Sequence, residues 1–489
     1  MNASRTRIDP LSGDPTVPLN IKQLSGKSAA IEDQALMELR MSFRGDVITP
    51  DDGGYDEARA VKNLHIDRRP GMIVRCSGVG DVIDAVNLAR EKELLVAVRS
   101  GGHHVGGHGT IDDGLVIDLS GMNGVWVDRE SRRVRVQGGA TWGDVDRESQ
   151  AFGLAVPGGI VSTTGVAGLT LGGGIGWLHR KWGLACDALR EVEIVTANGE
   201  VVTASASENA DLFWAVRGGG GNFGVAVNFV FEAYPLGPIV HAVPVFYRAA
   251  DGPELLRKWR DWAAEAPDEV TTRALFWSMP AAEGLPPAIH DQDVFIVAAL
   301  YAGDPADGAG ILEPVRHFGT PLADIGGPMP YRFFQAAFDP LVEGLSSYWK
   351  STYLTELTDG AIDLIAGRAM DRPDPKVLVH VPLMGGATSR VGAKDTAFGD
   401  RSAPWMLSVD GNWTDPAKAA AVIQWTRDFI EEADALPEAG GAYLNFSADE
   451  STATEVVEAQ FGDNLERLVE LKRKYDPANQ FRVNNNIRP

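Results

Sequence analysis

The chain has 489 residues, 44% of them hydrophobic, with 67 acidic against 45 basic side chains and a formal charge of −22. That length predicts two or three domains of about 100–200 residues each, and the charge excludes a phosphate-rich polyanion as partner, because neutralising phosphates takes clustered Lys and Arg. Cys76 and Cys186 make no disulfide framework and lack the CxxC spacing of a zinc site. No apolar run approaches the roughly 18 residues that cross a bilayer, and no apolar leader opens the chain. A cytoplasmic protein that engages neither nucleic acid nor membrane is therefore expected.

In chain order, residues 1–36 are mostly polar, with Pro and Gly, and predict an arm over the surface. GVGDVIDAVNLAREKELLVAVRS then predicts an amphipathic helix with Val82, Ile83, Val86, Leu88 and Ala89 inward, followed by a buried strand. LVIDLS and VRVQGG predict short strands, and WGDVDRESQAFGL a helix closed by Gly153. REVEIVTANGEVVTAS predicts a hairpin with Asn198 and Gly199 in a type I′ turn. NADLFWAVRGGGG predicts a helix ended by glycines, with VAVNFVFEAY as the next strand. PLGPIVHAVP marks a crossover into a second unit, where GPELLRKWRDWAAEAPDE predicts a helix and FIVAALYAG and KVLVHVPLMGG strands. The amphipathic AQFGDNLERLVELKRKYDP predicts a helix that docks back on the first unit. The expected division is an arm at 1–36, units at 37–240 and 241–440, and a returning segment at 441–489.

Three glycine-rich stretches bear on chemistry. VAVRSGGHHVGGHG, residues 96–109, sets three histidines among five glycines. Its glycines can converge backbone N–H groups on an anion or simply turn the chain between two strands. A metal site from His103, His104 and His108 lacks the helix that would align them and any nearby thiolate. Gly219, Gly221 and Gly224 match GxGxxG, but a helix precedes and a strand follows, the reverse of a dinucleotide turn. In PGGIVSTTGVAGLTLGGGIGWL, residues 157–178, glycines alternate with small and β-branched residues, which suits a backbone running close along a flat ligand. Together the three loops suggest a long cofactor with phosphates and a planar ring.

RSGGH followed by DLS, STTGVAGLTLGGGIGW, GLACD, RGGGGNFGV, and the terminal YDPANQFRVNNNI resemble the berberine-bridge-enzyme-like branch of the vanillyl-alcohol-oxidase superfamily. The pattern is nearest to the bacterial subset that includes the enterocin-pathway favorskiiase. It covers about residues 38–240 and 440–489. The resemblance implies an α+β protein, a PCMH-type FAD-binding domain joined to an antiparallel-sheet substrate domain backed by helices. It implies FAD bonded covalently to His103, the histidine directly after Ser-Gly-Gly, an attachment that raises the flavin's potential and prevents its loss. Cofactor contacts are implied for Arg99, Ser100, Gly101, Gly102, His104, Gly106, Gly107 and His108, for Thr163, Gly168, Gly172, Gly173 and Gly176, for Gly224 and Val225, and for Asn445, Asn484 and Asn486.

Departures from the family pattern shape the rest of the expectation. Bicovalent members carry a cysteine where Val161 stands, so one covalent link is expected. Thr164 matches the gatekeeper position that admits or blocks dioxygen, and its size favours an oxidase that releases hydrogen peroxide. The usual base positions hold Arg390 and Val105. On VLVHVPLMGG the period of two puts His380, Pro382 and Met384 on one face, which makes His380 the candidate base, with a hydrogen-bonded core histidine as the alternative. Tyr443 matches the Y-x-N segment beside the flavin and joins Thr164 and His380 among the candidate catalytic side chains. Trp277, Tyr301, Tyr353 and Arg390 are candidate substrate contacts, though such aromatics also fill cores. The expected reaction removes hydride from a C–H beside O or N of a small molecule, an alcohol, sugar, alkaloid or polyketide, with dioxygen as the second partner. An oxygenating or ring-forming enzyme, or a redox-inactive binding protein on the same fold, are the alternatives.

Overall fold

The computed structural model describes residues 18–448 and 454–489. Residues 1–17 of the expected 1–36 arm therefore lie outside the described residues, and the part that follows begins with a hairpin. Leu19–Lys22 pairs with Ser28–Ile31, and Ile21 and Ile31 are buried with Met72, Val74 and Val96.

Chemistry is framed by three sheets. In the first, Met72–Arg75 and Val96–Arg99 flank Leu115–Asp118 in parallel, with helix Val79–Glu91 as the crossover and Asp46–Ile48 antiparallel at one edge. Burial on both faces is why these strands read as continuous apolar runs. In the second, five antiparallel strands run in the order Val201–Ser205, Leu189–Val195, Val225–Glu232, Arg133–Gln137, Val125–Asp128. Its hairpin differs from expectation. Thr196 and Glu200 close a three-residue loop in which Gly199 alone has positive φ, at 77°. Asn198 stays at negative φ because the extra residue lets a tight turn plus one left-handed glycine match the strand twist.

The third sheet has eight strands: seven follow the path Ala323–Asp324, Ile239–Arg248, Asp293–Tyr301, Val270–Ser278, Leu378–Pro382, Trp405–Trp413, Ser346–Leu354, and Gly327–Pro330 pairs with Ile239–Arg248 beside it. The period of two divides it cleanly. Ala274, Phe276, Val379, Val381, Leu407 and Val409 join a core with Leu255 and Trp259, Ile362 and Ile365, and Val422 and Phe429 from helices Gly252–Ala264, Asp359–Met370 and Ala419–Asp434. The opposite face looks toward the glycine-rich loops.

The chain does return. Helix Leu465–Tyr475 packs Leu468 and Leu471 into the core of the five-stranded sheet. Its fully buried Lys472 donates to the carbonyls of Asn222 (2.8 Å) and Phe481 (3.0 Å) and pairs with Asp476 (2.6 Å), pinning the terminal segment to the 218–224 loop. Arg180 ties the two halves, donating to the carbonyls of Val270 (2.7 Å), Met384 (2.5 Å) and Ala266 (2.9 Å). No helix among the described residues is long and apolar enough to cross a membrane.

Candidate active site

A continuous cleft runs between the first two sheets and onto the face of the third that turns away from its helices. One end is backbone: Gly218–Gly221 and Gly224 meet Asn484 and Asn485 of the returning segment. The middle is walled by Arg99, Ser100, Gly101, Gly102 and His103 on one side and by Thr164, Gly165, Gly168 and Gly172 on another. The far end is lined by Arg273, Leu275, Leu378, His380, Asp410, Trp349 and Phe446.

Close backbone packing builds the middle. A Cβ on Gly101 would lie 2.5 Å from the Gly165 nitrogen, so these two loops touch through glycine and nothing larger fits. Beyond that contact His103 reaches Thr163, with Nε2 3.0 Å from Oγ1. Burial, followed by the charge of Lys62, holds its imidazole down to about 4, so the ring is neutral at physiological pH. Arg99 is set by an ion pair with Asp118 at 2.7 Å, which explains the RSGGH…DLS spacing physically: the two residues are register partners on adjacent parallel strands.

His104 and His108 line the cleft as stacked rings, centroids 3.9 Å apart, rather than converging on a point as metal ligands would. Both are held uncharged by burial.

The residues fit a long cofactor. Buried Ser100 Oγ, His104 Nε2 and Asn484 Oδ1 have no hydrogen-bond partner in the protein, and a Cβ added at Gly168 or Gly221 would meet nothing within 4 Å. A ligand that supplies donors and acceptors along this wall satisfies atoms that burial otherwise penalises.

Several expected contacts sit behind the wall. Thr163 supports His103, Val225 is core, and Gly106, Gly107, Gly173, Gly176 and Asn486 do not line the cleft. Gly107 backs onto Ile66 and Gly176 onto the carbonyl of Gly158, which is why glycine is required there. Tyr443 does not line the cleft either. Fully buried, its hydroxyl accepts from the N–H groups of Gly174 (3.1 Å) and Ile175 (3.2 Å) and from Asn445 Nδ2 (2.8 Å). Burial pushes the phenol up to about 12, against the opposing effect of these three donors, and the hydrogen bonds fix it to the 172–176 loop. Asn445 does line the cleft, donating to the carbonyl of Leu169 at 3.2 Å.

The substrate expectations fare unevenly. Tyr301 is in the helix-side core, Tyr353 packs beside Tyr443, and Trp277 packs against the Leu275 cluster without lining the cleft. Arg390, its side chain 62% exposed, pairs with Asp268 at 2.7 Å on the surface. Its position follows from the chain turning out at Gly385 and Gly386, both at positive φ, before Arg390 is reached.

His380 is where period two puts it, on the cleft face and 3% exposed. Its Nε2 lies 3.4 Å from Asp410 Oδ2, while Nδ1 has no partner. Asp410 is itself oriented by Ser408, whose hydroxyl donates to Oδ1 at 2.6 Å. Asp410 and Arg273 went unremarked in the sequence. The available signal was a charge inside an otherwise apolar strand, WMLSVDGNW and VTTRALFWS.

Comparisons with known proteins agree with this geometry. A model of the FAD binding domain matches residues 70–205, and a berberine and berberine-like model matches residues 442–488. The chain is 31% identical to an uncharacterized FAD-linked oxidoreductase, YgaK, of Bacillus subtilis over 92% of its length and 98% of the relative's. It is likewise 31% identical to (R)-6-hydroxynicotine oxidase of Paenarthrobacter nicotinovorans, across 92% and 98% of the two chains. Its structure superposes on 6-hydroxy-D-nicotine oxidase from Arthrobacter nicotinovorans with a TM-score of 0.82 and 28% identity, covering 92% and 99%. A BBE-like protein of Physcomitrella patens shares the fold, at TM-score 0.81 and 22% identity over 93% and 98%. The chain is thus an FAD-linked oxidoreductase and belongs to the berberine-bridge-enzyme-like family.

Proposed function

We propose that this protein is an oxidase of small organic molecules, with FAD attached at His103 alone and His380 as the base. The observation that carries the reading is the single cleft joining a neutral His103 to a buried His380 whose Nδ1 has no protein partner. When bound, FAD supplies the two-electron acceptor for hydride from a C–H beside O or N, and dioxygen is the terminal acceptor, leaving as hydrogen peroxide.

The chain's own residues do the rest. Neutral imidazole at position 103 has the free lone pair that bond formation requires. Val161, lining the cleft where bicovalent relatives carry cysteine, cannot form a second bond, and Cys186 lies outside the cleft, buried beside Tyr443. Asp410, aimed by Ser408, favours a proton on His380 Nε2, which leaves Nδ1 to accept one from a substrate hydroxyl or amine and stabilises the imidazolium that results. Thr164 lines the cleft where dioxygen must arrive, and its side chain is small enough to leave room. Leu275, Leu378, Trp349 and Phe446 keep water from the reacting carbon.

The test is an oxygen-uptake screen over alcohols, amines and sugars, followed by anaerobic flavin reduction with any substrate found. His380→Ala should slow reduction by about 10²–10⁴-fold at unchanged flavin content, and wild type should release one peroxide per turnover. Unchanged reduction would remove His380 from the reaction, and peroxide well short of one equivalent would favour oxygenation.

A further inference from the structure

Four arginines are buried among the described residues: Arg99, Arg180, Arg273 and Arg401. Three have evident partners. Arg99 meets Asp118 at 2.7 Å, Arg180 holds three carbonyls, and Arg401 meets Asp187 at 2.6 Å. Arg273 is 3% exposed, and its Nε and Nη2 are buried with no hydrogen-bond partner. The Trp177 ring centroid lies 4.6 Å from the guanidinium carbon.

A guanidinium in this position is expensive. Burial without compensating hydrogen bonds disfavours the charged group strongly, and a cation over an indole offsets only part of that. Burial pulls Arg273 down to about 10, with Asp410 acting in the opposite direction, so the side chain remains a cation at neutral pH. Asp410 does not neutralise it by contact, being engaged with Ser408 and His380 instead.

Its place on the sheet gives the charge a purpose. Across adjacent strands, Arg273 is opposite Pro382 and Leu275 opposite His380, while Leu378 is opposite Asp410 and His380 opposite Ser408. Arg273, His380 and Asp410 therefore step diagonally over three neighbouring strands, all on the cleft face. Diagonal neighbours on one face stand about 7–8 Å apart, the span of a small molecule with one group at the base and another at the cation. Around them the wall is apolar, from Leu275, Leu378, Phe338 and Val342.

We propose that Arg273 is a substrate-binding residue that takes a carboxylate, so the molecule deprotonated by His380 is an apolar-bodied organic acid. The fork of N–H groups matches a carboxylate's two oxygens, and the ion pair forms only when the ligand brings the countercharge. This inference rests on the flavin reading above.

The test uses the purified holoenzyme and follows the flavin absorbance during titration with benzoate, phenylacetate and hexanoate, each against its neutral amide. At least one acid should perturb the spectrum and bind at least 30-fold more tightly than its amide. Arg273→Gln should abolish that preference, Arg273→Lys should restore part of it, and both should keep the flavin's content and unliganded spectrum. Melting of Arg273→Gln should match or exceed wild type, because an uncompensated charge is removed. Acids that bind no better than amides, or that fail to bind at all, contradict the proposal. So does an Arg273→Gln protein with an altered unliganded flavin spectrum, which would place the guanidinium on the cofactor, or one that melts well below wild type, which would make it structural. A protein with no flavin at all defeats the oxidase reading instead, and is recognised by its lack of colour.

Discussion

Tyr443 and His380 show how two buried side chains singled out in the sequence can be differently committed in the fold. Both are buried polar groups near the cofactor loops, but Tyr443 spends its oxygen on two backbone N–H groups and an amide, whereas His380 has an uncommitted nitrogen. Tyr443→Phe should therefore cost about 1–3 kcal/mol of stability, the penalty for buried donors left unsatisfied, measurable as a lower urea midpoint, with proton transfer from substrate little changed. If instead stability holds and flavin reduction collapses, Tyr443 is catalytic after all. His103 was singled out through the resemblance of RSGGH to a known family, because the glycine-rich loop by itself left a plain turn and an anion nest equally open. Arg273 and Asp410 were not singled out, since only the sheet's strand order brings residues so distant in sequence onto one face.

Helix Trp142–Gln150 illustrates the element scale. Its end was readable from Gly153, which is at positive φ, and its start is fixed in the structure by a capping box in which the side chains and backbones of Thr141 and Asp144 bond reciprocally. Sequence did not reveal that Asp146, on the same helix, is buried against helix Tyr331–Ala336 with Oδ2 unpartnered. Burial raises its carboxyl to about 8, against the smaller opposing effect of Arg332. A carboxyl held more tightly protonated in the folded state than in the unfolded one loses stability as pH rises from about 4 to about 8. Asp146→Asn should match wild type at pH 4 and exceed it at pH 9 by roughly 5 kcal/mol, read from chemical denaturation at both values. Equal stability at pH 9 would show that Asp146 is ionised at little cost in the native fold. The 189–205 hairpin was legible as a hairpin but not in its loop length, since one residue decides whether Asn198 must take positive φ.

Over the whole molecule, the glycine-rich unit was readable because its loops carry rare composition, and the substrate sheet only as alternating strands without an order. The folded protein also holds His104 and His179 neutral at about 4, and His108 well below its usual range, all chiefly through burial. These rings protonate first in the unfolded chain, so stability must fall as pH drops from 6.5 toward 4, at up to roughly 4 kcal/mol per pH unit for three groups. A denaturation midpoint that stays flat across that range would mean that the imidazoles are charged in the folded state.

The account depends most on one bond, between the imidazole of His103 and FAD. The direct measurement is the intact mass of the purified protein under denaturing conditions, for wild type and for His103→Ala. Wild type should be heavier than its amino-acid sequence by one flavin and remain yellow after acid precipitation, while His103→Ala should have the mass of the polypeptide alone. A wild-type mass equal to the polypeptide, or an added flavin that persists in His103→Ala, would contradict it.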